Sequence, residues 1–328
     1  MIWLTWRQFR GQAVVAAGTL AALTIYLVIL GLRLRTTYET DIACSGCTAE
    51  AGREAMERTY FTVLLLTGWL VVLVPAVLGA FWGAPLIARE LETGTHRLVW
   101  NQSVTRTRWL AAKLGFVALV ALAFTGLFSL LFTWAASPYD KVINDRFDPI
   151  FFPSRNLAPL GYALFAVVAG ITIGLLAKRT LPAMAVTLAA FVALQVLMPT
   201  VIRPNFQAPV TESVAFSPEN AHGLGLNQHG VTSVMGYDVP GAWMLTSEST
   251  LLDAAGAPAK KEATEPCFTG GQPGRAKECL AALNLHSEQT YQPAGRYWTF
   301  QWLEFGLYGL LALLLAGYAF WRIPRGLS

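Results

Sequence analysis

The sequence predicts an all-α polytopic membrane protein. It has six transmembrane helices, both termini inside, and a small mixed α+β, disulfide-braced domain outside between helices 5 and 6. Three observations carry this reading. Of 328 residues, 54% are hydrophobic and only 13% are charged, where a soluble domain carries roughly 25% charged residues. The charges are clustered and leave long uncharged runs, and all four cysteines fall in polar segments on one predicted side. This composition excludes a disordered chain, a nucleic-acid-binding module and a cytosolic enzyme as leading readings.

A membrane helix needs about 20 apolar residues, because each rises about 1.5 Å through a hydrocarbon core about 30 Å thick. Residues 13–32, 59–88, 114–139, 156–177 and 180–202 contain no Lys, Arg, Asp or Glu, and residues 297–321 contain only Glu304. The second run is longer than needed, so its membrane part is placed near 60–81, with Pro75 as a candidate kink. Tyr297, Trp298 and Trp302 at one end of the sixth run, and Tyr318 and Trp321 at the other, suit the two headgroup layers. The first run is too long for the apolar core of a signal peptide. Before it, residues 1–10 read as a short interfacial helix, with Ile2, Trp6 and Phe9 on one face and Trp3, Arg7 and Arg10 around it.

Orientation follows from the basic residues. With the N-terminus inside, the inner segments hold 11 basic and 2 acidic residues, and the outer ones hold 13 basic and 17 acidic. Cys44, Cys47, Cys267 and Cys279 then all lie outside, where disulfides persist. Four cysteines allow three connectivities. The local pairs Cys44–Cys47 and Cys267–Cys279 are favoured because each closes a short loop. The Cys-Ser-Gly-Cys run also admits a redox or zinc reading, but no thioredoxin-like pattern and no second such pair accompanies it.

The domain boundaries read as 1–202 for helices 1 to 5 with an inner loop at 83–113, 203–296 for the outer domain, and 297–328 for helix 6 and its tail. The outer domain is rich in turn signals, with a helix expected at 275–285 and a strand at 231–237. No phosphate-binding loop is present, so this chain is not expected to hydrolyse nucleotide or to hold a cofactor or metal of its own. His222, His229 and His286 lack metal-ligand spacing. Within the spans Glu304 is the one ionisable candidate. It reads either as an interfacial carboxylate pairing with Arg296 or as part of a substrate path with Gln301 and Gln195. The scarcity of such groups argues against a gradient-coupled transporter.

The densest polar information lies at 83–113. The run Arg89-Glu90-Leu91-Glu92-Thr93-Gly94-Thr95, then His96 and Arg97, reads as a helix that stops at Gly94 and restarts. With Ser103, Thr105, Arg106, Arg108 and Lys113 it resembles the cytoplasmic loop between spans two and three of type-2 ATP-binding-cassette exporter permeases. Residues 291–304 are similar to the stretch leading into the last span in a bacterial branch of that family. The resemblance implies a permease that works as a pair, homodimer or heterodimer, in the bacterial plasma membrane. Each subunit would rest on a cytosolic ATPase, two copies per complex, which binds ATP and Mg. It also implies that residues 89–97 form a coupling helix docked on the ATPase, with Glu90, Glu92 and His96 as contacts and Gly94 as the bend, and that residues 1–10 approach it too. The long segment 203–296 departs from many members. The apolar spans suit export of a hydrophobic or amphipathic compound such as a drug, lipid or lipophilic peptide. The competing reading is a membrane-held sensor whose outer domain binds a ligand; no nucleic-acid partner is expected.

Overall fold

A computed structural model describes residues 2–43, 49–95, 105–226, 231–268 and 273–325. The chain divides into two compact units. The first comprises residues 1–143, 149–203 and 299–328, and the second comprises 144–148 and 204–298.

The first unit is helical, and among the described residues six helical segments are long and apolar enough to cross a membrane, as the apolar runs predict. Helix α1 spans Ile2–Asp41. Residues 2–10 are therefore its opening turns and not a separate helix, and its end lies nine residues beyond the apolar run. The extension has a physical reason. Leu34 of α1 and Met56 of α2 (Ala49–Val77) are fully buried in one core with Phe128 and Phe132, and Thr37 Oγ1 lies 2.8 Å from Tyr60 Oη. Helix α2 passes Pro75 and loosens into a π-helical turn, Leu78–Gly83, before α3 (Ala84–Glu92). Proline supplies no N–H, so the hydrogen-bond ladder must shift register nearby. Helices α4 (Arg106–Ile143), α5 (Ala158–Ala177) and α6 (Thr180–Leu197) follow. Helix α6 ends in a second π turn, Met198–Ile202, which contains Pro199. The last helix, α9, spans Tyr297–Arg325.

Helix α5 is the centre of this unit. In lipid, helix association gains little from apolar burial as such and depends on close packing of small residues. Gly79 and Gly83 of the π turn face Gly170 and Gly174 of α5, each pair four residues apart. A methyl group built on Gly79 would stand 2.5 Å from the Ala166 carbonyl oxygen, and one on Gly174 would stand 2.6 Å from that of Ala84. Only glycine allows this approach.

The second unit is a six-stranded antiparallel sheet, β1 (Val210–Ala215), β2 (Ala221–Leu226), β3 (Thr232–Tyr237), β4 (Trp243–Met244), β5 (Glu248–Leu252) and β6 (His286–Gln292). The order is β1-β6-β5-β3-β2, with β4 also paired to β6. Helices α7 (Lys261–Phe268) and α8 (Pro273–Ala281) are joined by the Cys267–Cys279 disulfide. Val234, Leu251, Leu280 and Leu285 pack with them in one core. The strand and the helix expected from the sequence are β3 and α8, the latter ending earlier because Asn284 turns to φ +50°. The segment 144–148, which the sequence reading left outside this domain, places Phe147 against Trp243, ring centroids 6.1 Å apart.

Candidate functional site

Two polar constellations stand out in the helical unit. The first is the end of α3. Its buried side, Ala84, Leu86, Ile87 and Ala88, seats it on α4, α5 and α6. Past Glu92 the helix stops: Thr93 N–H and Oγ1 both donate to the Arg89 carbonyl, at 3.0 and 2.8 Å, and Gly94 takes φ +72°. That is the left-handed conformation a helix end favours for glycine. The expected stop is therefore seen, whereas the expected restart, with His96 and Arg97, lies outside the described residues. Arg89, Thr93 and Thr95 are exposed.

The two acidic side chains of α3 both bond to other helices, Glu90 half-buried and Glu92 exposed at the surface. Glu90 is paired with Lys113 of α4, whose ammonium also lies 4.7 Å from the Trp109 ring centroid. Glu92 Oε2 accepts from the Thr180 backbone N–H at 3.0 Å and from Thr180 Oγ1 at 2.7 Å. Thr180 opens α6, and the residue before it, Arg179, makes no side-chain cap. The carboxylate of α3 thus supplies the cap that α6 lacks and sits where the helix dipole favours negative charge.

The second constellation surrounds Glu304 of α9, which is fully buried. Its partner is Arg203, at the end of the chain leaving α6: Nε donates to Oε2 at 2.8 Å and a terminal nitrogen donates to Oε1 at 3.0 Å. Tyr162 Oη also donates to Oε1, and the Arg203 guanidinium lies 4.3 Å from the Phe152 ring centroid. The interfacial pairing with Arg296 is thereby corrected. Arg296 donates instead to the carbonyl of Ala208 and to Gln292 Oε1, both at 2.7 Å. Gln301 is buried and caps α5: its Oε1 accepts from Leu157 and Ala158 N–H at 3.1 and 3.0 Å, and its Nε2 donates to the Phe152 carbonyl at 3.0 Å. Gln195 is half-buried, and its Nε2 has no hydrogen-bond partner among the described residues.

A family profile described as ABC-2 membrane transporter related matches residues 17–203, more than half of the chain. The chain belongs to this ABC-2 family. It is an ABC-2 type permease, of a family whose members generally work with an ATPase partner in the membrane. No curated protein and no solved structure matches. The match covers α3 with its loop and Arg203, but it ends before the six-stranded sheet and before Glu304.

The remaining sequence candidates are placed as follows. Trp3, Trp6, Arg7, Phe9 and Arg10 lie in the opening turns of α1. Cys44 and Cys47 fall outside the described residues, whereas Cys267 and Cys279 are bonded to each other. His222 Nε2 stands 2.8 Å from Asp238, His286 lies in β6, and His229 is outside the described residues. No group of three or more potential metal ligands occurs among the described residues. Sequence reasoning missed Arg203, which it counted as an outer-loop charge, and Thr180. A signal for Arg203 was present: one cation directly after an uncharged run, facing a single acid in another. For Thr180 the signal was a helix start preceded by Arg, a residue that does not cap.

Proposed function

We propose that this ABC-2 permease is the membrane subunit of an exporter that moves a hydrophobic or amphipathic compound outward, with the sheet unit outside the bacterial plasma membrane. Two permease subunits, identical or not, would rest on two cytosolic ATPase subunits that bind ATP and Mg. Residues 89–97, the last turn of α3 and the loop after it, would be the coupling segment. The observation that carries this reading is the end of α3: a short, rigidly seated helix, stopped by Gly94, with Arg89, Thr93 and Thr95 exposed at the surface. A transmitting element needs that combination, because a docked loop moves a membrane helix only if its other end is held firmly.

The test is purification of the full-length chain from native membranes in mild detergent, with identification of what accompanies it. A P-loop ATPase in fixed stoichiometry, released by Arg89→Glu combined with Arg97→Glu, is expected. A chain that purifies alone, or with a kinase, under conditions that hold other transporter complexes together overturns the exporter reading in favour of a sensor.

A further inference from the structure

We propose that Glu92 and Glu90 are positioning residues that carry the displacement of the coupling segment into α6 and α4, and that neither is a contact to the ATPase. The inference rests on the permease reading above and divides the labour within it.

The geometry separates α3 and its loop into two parts. One part, half-buried Glu90 and exposed Glu92, is tied to other spans by charge-assisted bonds. Glu92 holds Thr180, 88 residues away in sequence, through two bonds at 3.0 and 2.7 Å. Glu90 holds Lys113, 23 residues away. Both acceptors are ionised carboxylates, so these bonds are stronger than neutral ones. The other part, Arg89, Thr93 and Thr95, is exposed, and Thr93 bonds locally, to the Arg89 carbonyl and to Thr95. Gly94, with open space where its Cβ would be, stands where the tied helix gives way to the free loop.

The bond to Thr180 reaches a sensitive place in α6. It engages the first N–H of the helix, which has no partner within the helix. Helix α5 is joined to α6 through only Lys178 and Arg179, with Lys178 itself held in the left-handed region at φ +54°. A turn that short cannot absorb much movement, so a displacement of α3 reaches the start of α6 through Glu92 before it is dissipated. Glu90 does the same for α4, engaging it seven residues, about two turns, beyond its first residue Arg106. One short helix thereby grips two spans that lie in different parts of the chain.

The test uses the full-length permease in complex with its ATPase. Spin labels are attached through a noncanonical amino acid at Leu119 on α4 and Val186 on α6, which are 68% and 52% exposed. Their distance is measured without nucleotide and with ATP under non-hydrolysing conditions. Two variants carry the test. Glu92→Ala removes the acceptor. Thr180→Pro removes both donors while placing proline at the first helical position, where its missing N–H and fixed φ are tolerated; Arg179 is already extended at φ −135°, ψ 133°, as a residue before proline should be.

Both variants are expected to retain the ATPase at wild-type stoichiometry and to lose the ATP-dependent change in distance. The double variant is expected to be no worse than either single one, as for two ends of one interaction. If Glu92→Ala releases the ATPase while Thr180→Pro keeps it, Glu92 is a docking contact and the inference fails. A full ATP-dependent change in Thr180→Pro also overturns it, and this variant decides the question even if Glu92→Ala does not accumulate. A wild-type chain that brings down no ATPase overturns the permease reading itself and is distinguishable from both results.

Discussion

Replacing Glu304 with methionine, a side chain of similar length, removes the acceptor from the buried cluster and leaves Arg203 charged and Tyr162 Oη without its bond. Both members of the ion pair are shielded, with side chains 2% and 0% exposed. At an effective dielectric constant of about 20, opposite charges about 2.8 Å apart attract by roughly 6 kcal/mol. Desolvating each ion costs several kcal/mol, so the intact pair contributes little net stability. Removing one partner alone should therefore cost about 3–5 kcal/mol, because the other charge stays buried without compensation. Arg203→Met with Glu304→Met should recover most of that loss. The assay is reversible unfolding of the full-length chain in mixed micelles, read by far-ultraviolet circular dichroism for the two singles and the double. Tyr308→Phe is the matched control. Its hydroxyl is buried without a hydrogen-bond partner among the described residues, so its loss should cost well under about 1 kcal/mol. A Glu304→Met variant within about 0.5 kcal/mol of wild type, or a double variant costing the sum of the singles, refutes the reasoning. It would then return Glu304 to the role of a solvated group on a substrate path.

Other consequences follow from the same geometry. Gly170→Ala places a methyl group against the Gly79 carbonyl and 2.8 Å from the Ala84 nitrogen, both backbone atoms that cannot swing aside; it should lower unfolding stability by about 1–3 kcal/mol, while Gly306→Ala, with nothing within 4 Å, should be neutral or better in the same assay. Replacing Cys267 and Cys279 by serine should cost about 2–4 kcal/mol in the sheet unit, seen as a lower melting temperature that dithiothreitol no longer changes. In that unit partial desolvation, with Asp148 and Asp238 close by, raises the carboxyl of Asp145 from 3.8 to about 6, although the residue keeps an exposed face. Its charged form is thus disfavoured in the folded state, so stability should rise as pH falls through about 6 towards 4; Asp145→Asn should flatten that part of the melting profile, and an unchanged profile refutes the assignment.

Much of this fold was legible because lipid imposes a simple rule on sequence. Each of the six apolar runs became part of a spanning-length helical segment, and the Gly94 stop and the Cys267–Cys279 pair needed only local chemistry to foresee. What stayed hidden is long-range. Glu304 was compared with Arg296, eight residues away, because proximity in sequence is visible, whereas its partner Arg203 lies 101 residues away. The bonds that Glu90 and Glu92 make within the chain stayed hidden likewise, because they depend on where Lys113 and Thr180 arrive, which no periodicity encodes. The helix boundaries shifted for a related reason: α1 continues past its apolar run because Leu34 and Met56 need each other.

The distribution of polar contacts in the helical unit argues for which parts move. Apolar side chains in lipid pack about equally well in several registers, so specificity must come from contacts that admit one geometry. The π turn and α5 meet backbone to backbone at Gly79, Gly83, Gly170 and Gly174, and a carbonyl wedged that closely cannot slide past its neighbour. These elements must travel as one body, and α3, continuous with the π turn, travels with them. Arg203–Glu304 and Arg155–Asp140 are shielded from water and cannot open without exposing a charge to lipid. Glu92–Thr180 is different. It lies at the surface, where water can exchange with each bond, so the joint can pivot without exposing a buried charge. A conformational cycle needs both kinds of contact, a body that stays intact and a joint that turns while still tied. On the proposal above, Glu92–Thr180 is that joint, and it passes movement of α3 to the start of α6.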